Sequence, residues 1–180
     1  MADGVPVGLR WLLGMWEGTG QSAAGVAGPA AFHSRLHITA AGQGLLRHDA
    51  SRWALTADAE PAELVASESG FWRAGSTREG TLATVEVVLT DGEGTAAAWT
   101  GITEVLGIDA EAITSARVRL VTDAVARTPT APPVAGGERL YGLFNGTLMW
   151  TEDVATDDAP LVNVRWGQLS RRESPIDADR

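Results

Sequence analysis

Ten short segments recur along this chain with gaps of hairpin length between most of them, and that regularity constrains the fold more than any motif does. They run Trp16 to Ser22, Pro29 to Ala40, Gly44 to Ala54, Glu63 to Ala74, Thr81 to Thr90, Gly94 to Leu106, Ala112 to Thr122, Gly136 to Leu143, Thr147 to Glu152 and Leu161 to Arg171. Within them apolar and polar residues alternate, or β-branched and aromatic types dominate, as strands require. Asn145-Gly146 is the clearest turn, because that pair supplies the two positive φ angles of a type I′ hairpin. Asp91-Gly92 and Ala41-Gly42 are weaker signals of the same kind. The expected fold is all-β, an antiparallel meander of ten strands. Such a sheet must cover its edges, and closure into an up-and-down barrel does so. Composition alone does not separate a barrel from a sandwich. The stretch Asp123 to Val134 holds Pro129, Pro132 and Pro133, cannot donate a regular ladder, and reads as a loop. Leu9 to Leu13 reads as a helical turn plugging one end. Residues 1–173 read as a single domain, and 174–180 as a frayed polar tail.

Composition removes several function classes. There is no cysteine, which excludes disulfides, thiolate catalysis and cysteine-based zinc sites. The formal net charge is −9, and nucleic acid needs clustered positive charge, so that partner is not expected. There is no long apolar run to span a membrane and no basic-then-apolar leader, so the expected location is cytoplasmic. Asn145-Gly146-Thr147 matches an N-glycosylation acceptor, but without secretion the turn reading wins. All basic residues are arginine, and alanine and glycine are abundant, which suggests a GC-rich bacterial source.

Residues 14 to 20 read Gly-Met-Trp-Glu-Gly-Thr-Gly, a G-x-W-x-G-x-G pattern. Trp16, Gly18 and Gly20 fall on one strand face. A large side chain closes a narrow barrel end, and small ones beside it let strands bend and cross closely. Gly14 completes the motif. The segment Leu9 to Gly20 resembles the start of the nitrobindins, heme-binding barrels related in shape to lipocalins and fatty-acid-binding proteins. Ser67-Glu68-Ser69-Gly70-Phe71-Trp72-Arg73 is similar to that family's H-x-E-x-G-F-W-R strand, and Val85 to Leu89 to its V-E-L-V-L. Pro129-Thr130-Ala131, then Arg139 and Tyr141, follow its P-T-A…R-x-Y order.

The resemblance implies a heme barrel with two departures. Its closing strand carries P-L-x-x-H, whose histidine ligates the iron; here Pro160-Leu161 leads to Val164. Its Y-P-T-I threonine falls at Val26. This looks like the ferric nitrobindin-like branch that lacks the histidine, so neither heme nor another cofactor is expected, and the family's peroxynitrite isomerase activity is not carried over. Val162, Val164 and Trp166 share an apolar face and are expected to point inward. With Val26, Leu36 and Ile38 they form the candidate pocket for a small apolar ligand. Arg73 and Arg139 are candidates to meet a carboxylate.

The histidines give no rescue. His33 and His37 lie opposite the apolar set Phe32, Leu36 and Ile38, and His48 neighbours Arg47 and Asp49, so all three read as solvated. Met15, Met149 and Tyr141 are the remaining residues able to touch an iron. Glu17, Glu68, Glu86 and Glu152 are scattered and show no pairing along the sequence, and Glu68 with Arg73 reads as a solvated surface pair. No catalytic or metal site is expected. The first reading is non-enzymatic binding of an apolar ligand. The others are a heme protein using another ligand for nitric oxide or peroxynitrite chemistry, and a filled barrel acting through its acidic surface or as a homodimer. A cavity or its absence separates the first from the last.

Overall fold

The structure is a computed structural model that describes residues 4–79, 82–110 and 112–172. A short helix, α1 (Val7–Arg10), precedes ten strands: β1 (Gly14–Ser22), β2 (Ala31–Gly42), β3 (Leu45–Leu55), β4 (Pro61–Glu79), β5 (Leu82–Asp91), β6 (Thr95–Asp109), β7 (Ala112–Arg127), β8 (Val134–Phe144), β9 (Thr147–Thr156) and β10 (Ala159–Arg172). Each strand pairs antiparallel with its sequence neighbours, and β1 also pairs with β10, so the sheet closes into a barrel. Closure leaves no unpaired edge, which settles the choice between barrel and sandwich.

The strands follow the alternation in the sequence. On β2, Phe32, Ser34, Leu36 and Ile38 are buried, while Arg35 is exposed and His33 and His37 lie on its face. Asn145 (φ 48°) and Gly146 (φ 81°) form the expected turn, with Phe144 opposite Thr147. The proline-rich break is shorter than expected. β7 runs on to Arg127, opposite Thr95 of β6, and only residues 128–133 leave the ladder. The tail 174–180 and Thr81 lie outside the described residues.

One end of the barrel is sealed. α1 and the residues after it bring Leu9, Trp11 and Leu12 against Trp16, Ile38, Leu46 and Trp72, all buried. The polar groups of this plug are satisfied. Trp16 Nε1 donates to Leu12 O at 2.9 Å, Trp11 Nε1 to Gly8 O at 2.8 Å, and Thr103 Oγ1 to the same Gly8 carbonyl at 2.7 Å. Arg171 stacks its guanidinium 4.2 Å from the Trp16 ring and donates to Trp11 O at 3.1 Å. The glycines beside Trp16 behave as expected. A Cβ on Gly18 would stand 2.1 Å from the carbonyl oxygen of Gln168 on β10, so only a bare backbone permits this crossing. Antiparallel closure puts the β1–β2, β3–β4, β5–β6, β7–β8 and β9–β10 connections at the opposite end, and the cavity described next opens there.

Candidate functional site

Period-two counting from the sealed end leads to polar side chains on the inner face. On β9, Leu148 and Trp150 are followed inward by Glu152; on β8, Leu143 and Tyr141 by Arg139; on β4, Trp72 and Gly70 by Glu68. These meet in the middle of the barrel. Arg139 grips Glu68 with two parallel bonds, Nη1 to Oε1 and Nη2 to Oε2, both 2.7 Å. Its Nε and Nη2 also donate to Glu152 Oε1 at 3.1 and 2.6 Å. Arg165 Nη1 donates to Glu152 Oε2 at 2.9 Å, and Arg52 Nη1 stands 3.6 Å from the same oxygen. The Arg139 guanidinium lies 4.9 Å from the Trp99 ring centre.

His48 extends the network toward the core. It is completely buried and 6.1 Å from Trp72, ring centre to ring centre. Trp72 Nε1 donates to His48 Nδ1 at 3.1 Å. An accepting Nδ1 places the ring proton on Nε2, which lies 3.2 Å from Glu68 Oε1.

The electrostatics follow from these contacts. Burial alone would raise the pKa of Glu68, but Arg139 and His48 outweigh it and hold the carboxyl well below the ordinary range. Glu152 is treated the same way by Arg139, Arg52 and Arg165 and falls to about 2. Burial lowers the pKa of Arg139, and the two carboxylates more than compensate, raising it well above its usual value. Burial pushes the Tyr141 phenol up to about 12, so it is protonated at neutral pH. Three guanidiniums therefore face two carboxylates, an excess of one positive charge.

This layer is the floor of a cavity of about 580 Å³, within the range of about 300–1,000 Å³ that small-molecule sites occupy. Its walls are mainly apolar: Leu64, Val65, Leu89, Ala97, Trp99, Val125, Val134, Val154 and Val164. Val26, Gly92, Glu93, Pro132 and Pro133 from the connections form its mouth. Asp91 stands at the end of β5, where its Oδ1 accepts the backbone N–H groups of Glu93 and Thr95. A second void of about 50 Å³ lies on the core side of the network, beside Leu36, His48 and Tyr141.

The structure sorts the expected site residues. Val26 and Val164 line the large cavity and Leu36 the small one. Ile38 is fully buried in the core and lines neither. Val162 is 53% exposed and Trp166 39% exposed, so neither faces the interior. A bulge between Asn163 and Arg165 interrupts β10, and beyond it Arg165, Gly167 and Leu169 take the inner face opposite Glu152, Trp150 and Leu148. Trp166 faces outward beside Thr151. His48 and the carboxylates Glu68 and Glu152 are interior, not surface, groups, because their partners sit on other strands. Glu17 and Glu86 are outward, paired with Arg35 and Arg73. Of the two carboxylate-partner candidates, Arg139 is inside and Arg73 outside. Met149 is 40% exposed. Among the described residues no group of three or more His, Asp or Glu side chains could hold a metal ion.

Residues 7–171 match the model of the THAP4-like, heme-binding β-barrel domain. The chain belongs to that family. It is 39% identical to a ferric nitrobindin-like protein of Cutibacterium acnes, over 91% of this chain and 90% of the relative. A ferric nitrobindin-like protein of Streptomyces avermitilis is 33% identical, over 97% of this chain and 84% of that one. A protein of Nocardioides sp. named peroxynitrite isomerase is also 33% identical, over 91% of each chain. The crystal structure of Rv2717c from M. tuberculosis superimposes with a TM-score of 0.77 at 23% identity, covering 94% of this chain and 99% of that one, and shows the same fold.

Membership corrects one expectation. The absence of any cofactor, read from Val164, does not stand, because the family as a whole is a heme-binding one. In this THAP4-like barrel the cavity offers a porphyrin apolar walls and guanidinium donors. Its described lining contains no histidine, cysteine, methionine or tyrosine, so it does not supply the side-chain ligands that usually bind heme iron. No helix among the described residues is long and apolar enough to cross a membrane.

Proposed function

We propose that this protein binds a mainly apolar small molecule, heme included, in the cavity at the open end of the barrel, and that its own side chains do no chemistry on it. The cavity carries the reading: about 580 Å³ of space with apolar walls is what a small-molecule site needs and what a barrel working only through its outer surface does not. The absence of side-chain chemistry rests on the floor. Glu68 and Glu152 are held ionised by guanidiniums, so neither can donate a proton near neutrality. His48 is completely buried, its Nδ1 taken by the Trp72 indole and its Nε2 facing Glu68 at 3.2 Å without a formed hydrogen bond.

Two titrations test the reading. Nile red, a neutral apolar dye, should bind with one-to-one stoichiometry and be excluded by Val125→Trp, which fills the cavity. Failure of Nile red to bind, or equal binding by V125W, refutes the cavity site. Hemin titration in the Soret region, ferric and then reduced, should give a ligated spectrum when Val164→His places an imidazole at the cavity wall. Relatives named peroxynitrite isomerase support a second reading, in which bound heme supplies such an activity. Peroxynitrite decay accelerated by the hemin-loaded wild type, and not by V125W, would favour it.

A further inference from the structure

The floor of the cavity holds more positive charge than its own carboxylates neutralise, and the surplus is concentrated on one residue. Arg139 spends four of its five N–H donors on Glu68 and Glu152. Arg165 spends one donor on Glu152. Arg52 makes no hydrogen bond to any described residue: its Nη1 is 3.6 Å from Glu152, and its guanidinium lies 5.8 Å from the Phe32 ring centre. Yet its side chain is only 22% exposed and lines both the large cavity and the small void. A guanidinium has five N–H donors, and in Arg52 no described residue takes any of them in a hydrogen bond, so they are available to a group entering the cavity. The carboxylates that share the cavity do not answer it. Glu152 is already bonded to Arg139 and Arg165, Asp91 is turned onto its own loop, and Glu93 stands at the mouth.

We propose that Arg52, with Arg165 beside Glu152, forms an anion site on the cavity floor. It receives the carboxylate of a ligand whose apolar body lies along the walls toward the mouth. This rests on the cavity reading above and names the ligand class: an apolar monocarboxylate, or the propionate of a porphyrin. The head group is directed inward, because the carboxylates not paired with a guanidinium, Asp91 and Glu93, stand toward the mouth and the unused cation at the floor.

cis-Parinaric acid and its methyl ester test it, since they share one fluorescent apolar body and differ only in the charge. The wild type should bind the acid at least about tenfold more tightly than the ester, as a charge-assisted hydrogen bond in a shielded site requires. In Arg52→Gln the preference should shrink to within about threefold because the acid loses more affinity than the ester; Arg165→Gln provides a second variant. Equal binding of acid and ester by the wild type overturns the proposal, as does a preference that survives both variants. If neither acid, ester nor Nile red binds, the cavity reading fails and the anion site with it. Hemin and hemin dimethyl ester form a second pair. Discrimination in that pair alone assigns the carboxylate to a porphyrin, and in the first pair alone to an acyl chain; either result supports the anion site.

Discussion

Arg139→Met removes the centre of the buried network and leaves its two carboxylates in place. Arg139 makes four hydrogen bonds of 2.6–3.1 Å, two to each carboxylate. After its loss Glu152 keeps Arg165 and Arg52, whereas Glu68 keeps only His48. Removing one partner of a buried ion pair costs about 3–5 kcal/mol, because a charge is stranded. That is the expected loss in urea unfolding at pH 7. The pH dependence makes the test specific. In the wild type both folded-state pKa values lie below the ordinary 4.5, so their contribution is complete above that value and is lost as pH falls toward the folded values. Each group then removes about 1.4 kcal/mol per pH unit. In R139M the stranded Glu68 takes up a proton readily, so its penalty disappears over the same range. The gap between the two proteins should therefore close toward zero by about pH 3. Other titrating groups are common to both and cancel. A loss under about 1 kcal/mol at pH 7, or a gap that stays constant down to pH 3, would refute the reasoning.

Other perturbations read the rest of the structure. Gly18→Ala forces a methyl against the Gln168 carbonyl and should cost about 1–3 kcal/mol by thermal unfolding. Trp16→Ala empties the plug at the sealed end, for a loss of about 3–5 kcal/mol. His48→Ala orphans the Trp72 indole N–H and should cost more than the same substitution made in a Trp72→Phe background, by about 1–3 kcal/mol in a double-mutant cycle. Trp166→Ala, on the outer surface, should leave Nile red affinity unchanged and shift stability by under about 1 kcal/mol.

The strands were legible because their signal is local. Alternation, a turn such as Asn145-Gly146 and the spacing between segments need no knowledge of distant partners. The site was not, because its charged residues are explained only by residues on other strands. His48 stands between Arg47 and Asp49, and those neighbours suggested solvent; but residues one apart lie on opposite faces of a strand, and the informative neighbours were Leu46 and Ala50. Glu152 and Arg139 could have been found in the same way, as charges in register with Trp150 and Tyr141. β10 failed for a different reason. Its most apolar face, Val162, Val164 and Trp166, reads from the sequence as the inner one, whereas only Val164 of the three lines the cavity and beyond the bulge the inner face holds Arg165 and Gly167. Arg165 is there for Glu152. Gly167 is there because a Cβ would stand 2.8 Å from Trp150 Nε1. A bulge that resets the register carries no signal in the strand's own composition.

The network also sets how deep a ligand can go. Below it, Trp72, Trp16, Leu9 and Leu12 pack toward the sealed end, with a void of about 50 Å³ beside His48. Above it lies the open cavity. An apolar ion-free floor would stop a ligand equally well and would avoid the cost of burying five charges. What the charged floor adds is polarity along the barrel axis. Its carboxylates remain ionised, Glu68 held by Arg139 and Glu152 by Arg139 and Arg165, so Arg52, whose donors are all unused, with Arg165, which uses one, is where the proposed anion would gain most. The same arrangement accounts for Val164 without assigning it a lost task. At the bulge it forms part of the apolar wall beside Arg165, where the body of the proposed ligand would meet its head group.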